Sequence, residues 1–222
     1  MNNLVSPKLM GRAFSFHSNG GHLGFALAPA ILAPLAIFLG WREACAGAGI
    51  LGLILTIHLN FFGSKTLRIN ELSKDIGLKT KEKETKAKPI LILFQPSIIS
   101  FFLFFIIFSM GLIGMQNFTP TVLIVERGFD LITASRSLAG FLIGAPVGIF
   151  FGGIIADKIR RRDLFSSFFL VCAGSFLLIL MKLEPSSGYL FAIFFLSGIF
   201  FGLSLPSRDM VIRSVIPKNA SG

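Results

Sequence analysis

Cysteine is nearly absent: 222 residues contain two. Both Cys45 and Cys172 lie inside apolar runs, too few and too hidden for a disulfide framework or a zinc site. Acid is scarce too, with 11 Asp and Glu against 21 Lys and Arg. None falls in the middle of a long apolar run, so these runs offer no carboxylate to carry protons. Also missing are paired intramembrane carboxylates, a His-x-x-x-His pair and a nucleophile beside a base, which leaves no grounds for an enzyme. No metal or other cofactor is expected. The alternation of outer-membrane strands is lacking as well. The start, Met1 to Met10, has no apolar core of a cleavable signal peptide. Insertion is therefore expected to depend on the first long apolar run.

What the chain does have is apolar bulk. Hydrophobic residues make up 53%, charged residues only 14%, and Phe occurs 26 times. One soluble core of this size could not hide so much phenylalanine. A spanning helix needs roughly 20 mostly apolar residues. Six segments qualify, at about 14–39, 44–62, 97–119, 133–156, 164–181 and 189–206. The expected fold class is an all-α integral membrane protein with six transmembrane helices, its first partner the lipid bilayer.

The net charge of +10 suggests nucleic acid until its distribution is considered. With both chain ends and the 63–96 segment on one side, that side holds all Lys and Arg except Arg42, Arg127, Lys182 and Arg136. Such asymmetry is the positive-inside pattern of cytoplasmic loops. No aromatic residue interleaves with the basic residues between 65 and 88, which argues against single-strand binding. The expectation is a multi-pass protein of a bacterial inner or plasma membrane, both ends cytoplasmic and no nucleic acid partner.

Lys79 to Lys88 is charged and mixed in sign, then ends at Pro89, as a solvated linker with some helix would. Elsewhere the connections are short, so neighbouring helices should be antiparallel. Gly140, Gly144, Gly148 and Gly152 recur every fourth residue along the fourth span, and small residues at this spacing let helix backbones approach closely. Gly20 with Gly24, and Gly198 with Gly202, repeat the spacing once each. Pro146 in the fourth span, and Pro29 and Pro34 in the first, remove helix hydrogen bonds and mark kinks.

Residues 152–163 stand out between the fourth and fifth spans. An acid ends an apolar run and a basic cluster follows it at once. Charge near hydrocarbon needs a partner or a helix terminus. Gly153, Asp157, Lys158, Arg161 and Arg162 resemble the cytoplasmic loop motif of the major facilitator superfamily of secondary transporters, with Arg160 where a second Gly is usual. The 11–43 stretch resembles that family's fifth helix, and its Gly24, Ala28 and Pro29 resemble part of the antiporter motif of drug-exporting members. There Ser15, Leu32 and Ala33 replace three glycines. Pro206 to Gly222 resembles the end of the tenth helix and the loop after it.

In order, the six spans then correspond to helices five through ten of the usual twelve. Residues 1–64 would close the N-terminal six-helix half, 65–96 would be the central cytoplasmic loop, and 97–222 would open the C-terminal half. Pro7-Lys8 through Gly11 echoes Pro217-Lys218 through Gly222, as two copies of one loop would. The expectation is a fragment that needs helices one to four and eleven to twelve to form a complete transporter. The alternative is a non-transporting scaffold or assembly subunit derived from one.

The resemblance implies alternating access of a central site to the two sides, for a small-molecule substrate and with protons as a candidate coupling ion. It implies a proton-coupled exporter of small organic compounds. It also implies that Asp157 approaches the backbone amides between Gly11 and Phe16, latching the cytoplasmic side, with Arg161 or Arg162 keeping the carboxylate ionised.

Polar residues within the spans are the substrate-binding candidates. Gln116 and Asn117 lie near the outer end of the third span and would bind a ligand or a neighbouring helix. Arg136 would hold an anion, snorkel, or pair with Asp130. Asn19 and His22 enrich the first span. His17 and His22 point about 140° apart, so they make no metal pair. Histidine changes charge near neutral pH, which makes His22 a candidate for proton coupling; the other reading is a ring satisfying a nearby carbonyl. Arg208, Asp209 and Arg213 are expected to form an ion-pair cluster beyond the sixth span.

Overall fold

The computed structural model describes residues 9–75, 95–182 and 186–215. The Lys79–Lys88 linker and the Pro7-Lys8 and Pro217-Lys218 echo lie outside them. The described residues form six helices: α1 Met10–Leu39, α2 Trp41–Asp75, α3 Pro96–Val125, α4 Leu131–Lys158, α5 Arg162–Lys182 and α6 Ser187–Val215. Five contain stretches long and apolar enough to cross a membrane: Trp41–Phe61, Pro96–Val125, Leu131–Lys158, Arg162–Leu180 and Gly188–Ser214. The protein is an all-helical integral membrane protein, and six is an approximate count of its spans.

Two compact units divide the chain, Met1–Ala26 with Ala87–Gly222, and Leu27–Lys86. The smaller comprises the second half of α1 and all of α2, joined at Gly40, whose φ of +101° suits glycine. Its apolar stretch Trp41–Phe61 is almost wholly exposed. The helix continues through Asp75, beyond the residue-62 end expected for the span.

In the larger unit the centre is α4 against α6, with α5 packed on α6 and α3 on α4. Small residues explain why. A β-carbon on Gly140 would lie 2.8 Å from the Phe191 carbonyl oxygen, and one on Gly152 would lie 2.8 Å from that of Leu203. Between them, Gly144 and Gly148 sit against the Phe195 and Ile199 carbonyls. From the other helix, Gly198 and Gly202 press on the Phe141 and Ala145 carbonyls. The two stripes interlock backbone to backbone, as dispersion forces favour where lipid supplies no hydrophobic drive. Gly20 and Gly24 behave differently, since a β-carbon on either meets nothing. Their four-residue spacing packs no helix among the described residues.

Leu123, Phe141, Ile149, Leu190, Phe194, Phe201 and Leu205 fill the surrounding core. Ser197 ties α6 to α5 by donating from Oγ to the Ala173 carbonyl at 2.9 Å.

Proline misleads about where α6 ends. The sequence expectation stops this span at residue 206, yet the helix runs through Val215 with Pro206 buried inside it. A proline here frees the carbonyl four residues back, on Gly202. Membrane helices tolerate such freed carbonyls where neighbours cover them. Pro120 in α3 is also internal, and that helix reaches Val125 rather than 119.

The α3–α4 turn closes with Gly128 at φ +68° donating its N–H to the Ile124 carbonyl at 3.1 Å, a left-handed cap. Asp130 then caps α4, its Oδ2 accepting from the Thr133 N–H at 3.1 Å. Hydrogen bonds from the Thr133 side chain and then its backbone hold the Asp130 carboxyl below its usual range. A depressed carboxylate stabilises at pH above its unfolded value, and that contribution is lost as pH falls through the lowered value. The Thr133 amide should therefore keep its hydrogen-exchange protection at neutral pH and lose it below the ordinary carboxylate range. Asp130→Asn, which caps without titrating, should flatten that profile. Equal pH dependence in both proteins would rule out the cap as its source.

Candidate functional site

At the basic end of the larger unit, the start of α1 crosses the end of α4. A β-carbon on Gly11 would lie 2.6 Å from the Gly153 carbonyl oxygen and 2.7 Å from Asp157 Oδ1. One on Gly153 would run into Ser15. Ser15 is 3% exposed and donates from Oγ to the Ile149 carbonyl at 2.8 Å. A glycine on each helix brings the backbones together, and one turn further along serine fastens them.

Asp157 completes this crossing. Its Oδ1 accepts from the Gly11 N–H at 2.6 Å and its Oδ2 from the Arg12 N–H at 3.3 Å. The Arg12 guanidinium Nε lies 3.5 Å from the same Oδ2. The Asp157 side chain is only 6% exposed, whereas that of Arg12 is 54% exposed. The arginine is thus screened by solvent and adds little. The amides carry the interaction, because the first turn of a helix has N–H groups without helical partners and the positive end of the dipole. Hydrogen bonds to a charged group contribute about 1.5–3 kcal/mol.

The cation beside Asp157 is therefore Arg12, and the expectation for Arg161 and Arg162 is corrected. α4 ends at Lys158 and its cap residue Ile159 is extended, which swings the following residues past the carboxylate. Arg162 instead donates from Nε to the Ala156 carbonyl at 3.0 Å, satisfying the last turn of α4 as cations at helix C-termini do. Arg161, Lys158 and Arg160 are exposed.

Beside the crossing, Met10, Ala156 and Met210 form a small buried cluster with Phe14 against it. Arg213 donates from Nη1 to Met10 Sδ at 2.8 Å and lies 5.8 Å from the Phe14 ring centroid. Three helices thus meet at this end: α1, α4 and α6. The expected Arg208–Asp209–Arg213 cluster splits here. Arg208 pairs with Asp209 at 2.8 Å, while Arg213 turns to α1. Because α6 continues past Pro206, residues 208 and 213 lie about 140° apart around it.

The substrate candidates do not converge on one point. Gln116 is half-buried and Asn117 exposed, as adjacent residues on a helix point about 100° apart. The helix extends past both, so they sit inside α3 rather than at its end. Arg136 is exposed, and the pairing with Asp130 is absent among the described residues because that carboxylate caps its own helix. His22 places Nδ1 3.0 Å from the Ser18 carbonyl oxygen. A carbonyl only accepts, so Nδ1 is the donor of this contact. The His22 ring also lies 6.2 Å from Phe201. Asn19 is half-buried, with Oδ1 enclosed and without a hydrogen bond.

Met10, Arg12, and Arg213 as a contact of α1 are site residues that sequence reasoning missed. Their signal was weak: a methionine and two arginines at the ends of apolar runs look like boundary residues.

A bundle of apolar helices packed through glycines, with Asp157 bonded to the first amides of α1, is a polytopic membrane protein. The family profile of the Major Facilitator Superfamily matches residues 1–222, and the chain belongs to that family. Its members sit in the lipid bilayer and move small solutes across it; they are transporters, not enzymes. Neither a search of curated proteins nor one of solved structures found a match.

Proposed function

We propose that the α1–α4 crossing is the cytoplasmic gate of an alternating-access transporter that exports small organic compounds in exchange for protons. The observation that carries this is the Asp157 carboxylate on the Gly11 and Arg12 amides. These bonds join two helices at one end only, so they form when that end closes and break when it opens. A contact with two discrete arrangements is what a two-state equilibrium requires. The concentration of Lys and Arg toward the same end supports a cytoplasmic location.

Export by proton exchange rests on less: the partial antiporter motif at Gly24, Ala28 and Pro29, and the half-buried His22. Half-buried Gln116, Asn19 and His22 are the residues proposed to meet the solute. Asn117 and Arg136, being exposed, take that role only if covered by further protein.

The test uses Ser15→Cys as a reporter after replacing Cys45 and Cys172 with serine. A membrane-impermeant maleimide is added from the face that carries Lys158. The buried reporter should react slowly in the closed gate. Asp157→Asn removes the charge from two hydrogen bonds, and about 1.4 kcal/mol corresponds to tenfold in an equilibrium. Labelling should therefore rise about tenfold. Unchanged labelling would overturn the gate.

A further inference from the structure

Arg208 lies about one and a half turns inward from Arg213 along α6, and its side chain is only 16% exposed. Asp209 occupies one edge of its guanidinium, with Oδ1 accepting from Nε at 3.0 Å and from Nη2 at 2.8 Å. The Phe105 and Phe108 rings of α3 lie 5.1 and 4.9 Å from its central carbon. Nη1, on the far side from Asp209, is enclosed and has no hydrogen-bond partner. Aromatic faces stabilise the cation, but they do not take up the Nη1 hydrogens. A buried donor left open on a guanidinium held this firmly calls for a ligand.

The surroundings indicate where the ligand would sit. Phe108 stacks on Phe201 with centroids 5.5 Å apart and planes at 13°, and Phe201 lies 6.2 Å from His22. Arg208 is thus connected through two rings to the proton-coupling candidate on α1. Asp209 is the nearest acid, and it is on the opposite edge of the guanidinium. Nη1 therefore holds two unpaired N–H donors and positive charge, enclosed among apolar walls.

We infer that Arg208 binds the anionic group of the transported solute, and that the solute is a carboxylate on an apolar body. Asp209 is a positioning residue that fixes the guanidinium so that Nη1 faces the ligand. Phe105 and Phe108 pack against the apolar body. Planar oxyanions suit arginine because its N–H groups lie in one plane. This inference rests on the transport reading for its meaning, yet binding can be measured without transport.

The experiment uses the 222-residue chain in detergent micelles, with 4-fluorobenzoate as the probe, followed by fluorine NMR line broadening. The neutral analogue 4-fluorobenzyl alcohol controls for apolar partitioning, and empty micelles serve as the blank. The protein should bind the carboxylate at least about tenfold more tightly than the alcohol. Arg208→Gln should abolish that preference. Because this variant leaves Asp209 unpaired, Arg208→Gln combined with Asp209→Asn removes both charges, and should fold yet also lose the preference. Equal binding of the two probes by the native chain overturns the inference, as does a preference that survives in the double variant. If the Ser15→Cys reporter responds to Asp157→Asn while the probes bind alike, the gate stands and the anion site falls. An Arg208-dependent preference with an unresponsive reporter gives the reverse.

Discussion

Gly148→Ala is expected to destabilise the protein by about 3 kcal/mol, the upper end of the usual cost of overpacking. The added methyl would press into the Ile199 carbonyl, with its carbon and the Leu203 nitrogen each 2.9 Å away. All three atoms are backbone, so no rotamer change relieves the overlap and α4 must back away from α6. Gly144, Gly152, Gly198 and Gly202 share the same line of contact, and separation at one weakens dispersion at all. Gly174→Ala on α5 is the matched control, because a β-carbon there meets nothing. Thermal unfolding in detergent should show a large fall for the first and no loss for the second, where alanine also favours helix. Equal unfolding temperatures would mean that the glycine stripe does not hold these helices together.

Gly11→Ala should open the proposed gate while leaving Asp157 in place. Its methyl would lie 2.6 Å from the Gly153 carbonyl and 2.7 Å from the carboxylate. To relieve both, the start of α1 has to leave α4, and the bonds at Gly11 and Arg12 go together. The effect should therefore exceed that of Asp157→Asn, where one accepting oxygen remains. A shift of about 2 kcal/mol corresponds to roughly thirtyfold in the open population. Reactivity of the Ser15→Cys reporter should rise by that factor. Gly20→Ala, where a β-carbon meets nothing, should leave it unchanged. A response smaller than that of Asp157→Asn would show that the charge alone, rather than the close approach of the helices, closes this end.

Much of the architecture was legible because a bilayer constrains sequence so strongly. Hydrocarbon demands long apolar helices, and the runs at 97–119, 133–156 and 164–181 lie inside α3, α4 and α5. Helix ends were less legible. Pro206 looked like a stop, but whether a freed carbonyl is tolerated depends on what covers it. The fourfold glycine spacing was visible as a smooth stripe, yet the same spacing at Gly20 and Gly24 packs on nothing described. Periodicity reports a surface, not its partner. Asp157 could be placed near the start of α1 through family resemblance, whereas the identity of its cation could not. One residue of extended backbone at Ile159 decides whether the arginines that follow face the acid or the helix end.

By itself, then, the sequence determined the solvent this protein lives in, its helical class and its family. Those follow from composition and short motifs, because each residue's cost in hydrocarbon is local. Only the tertiary structure decided that Gly11 meets Gly153, that Arg12 rather than Arg162 lies beside Asp157, and that Arg208 is held between two phenylalanines with one nitrogen open. These depend on distances between residues about a hundred or more positions apart along the chain, where sub-ångström fit decides whether helices touch.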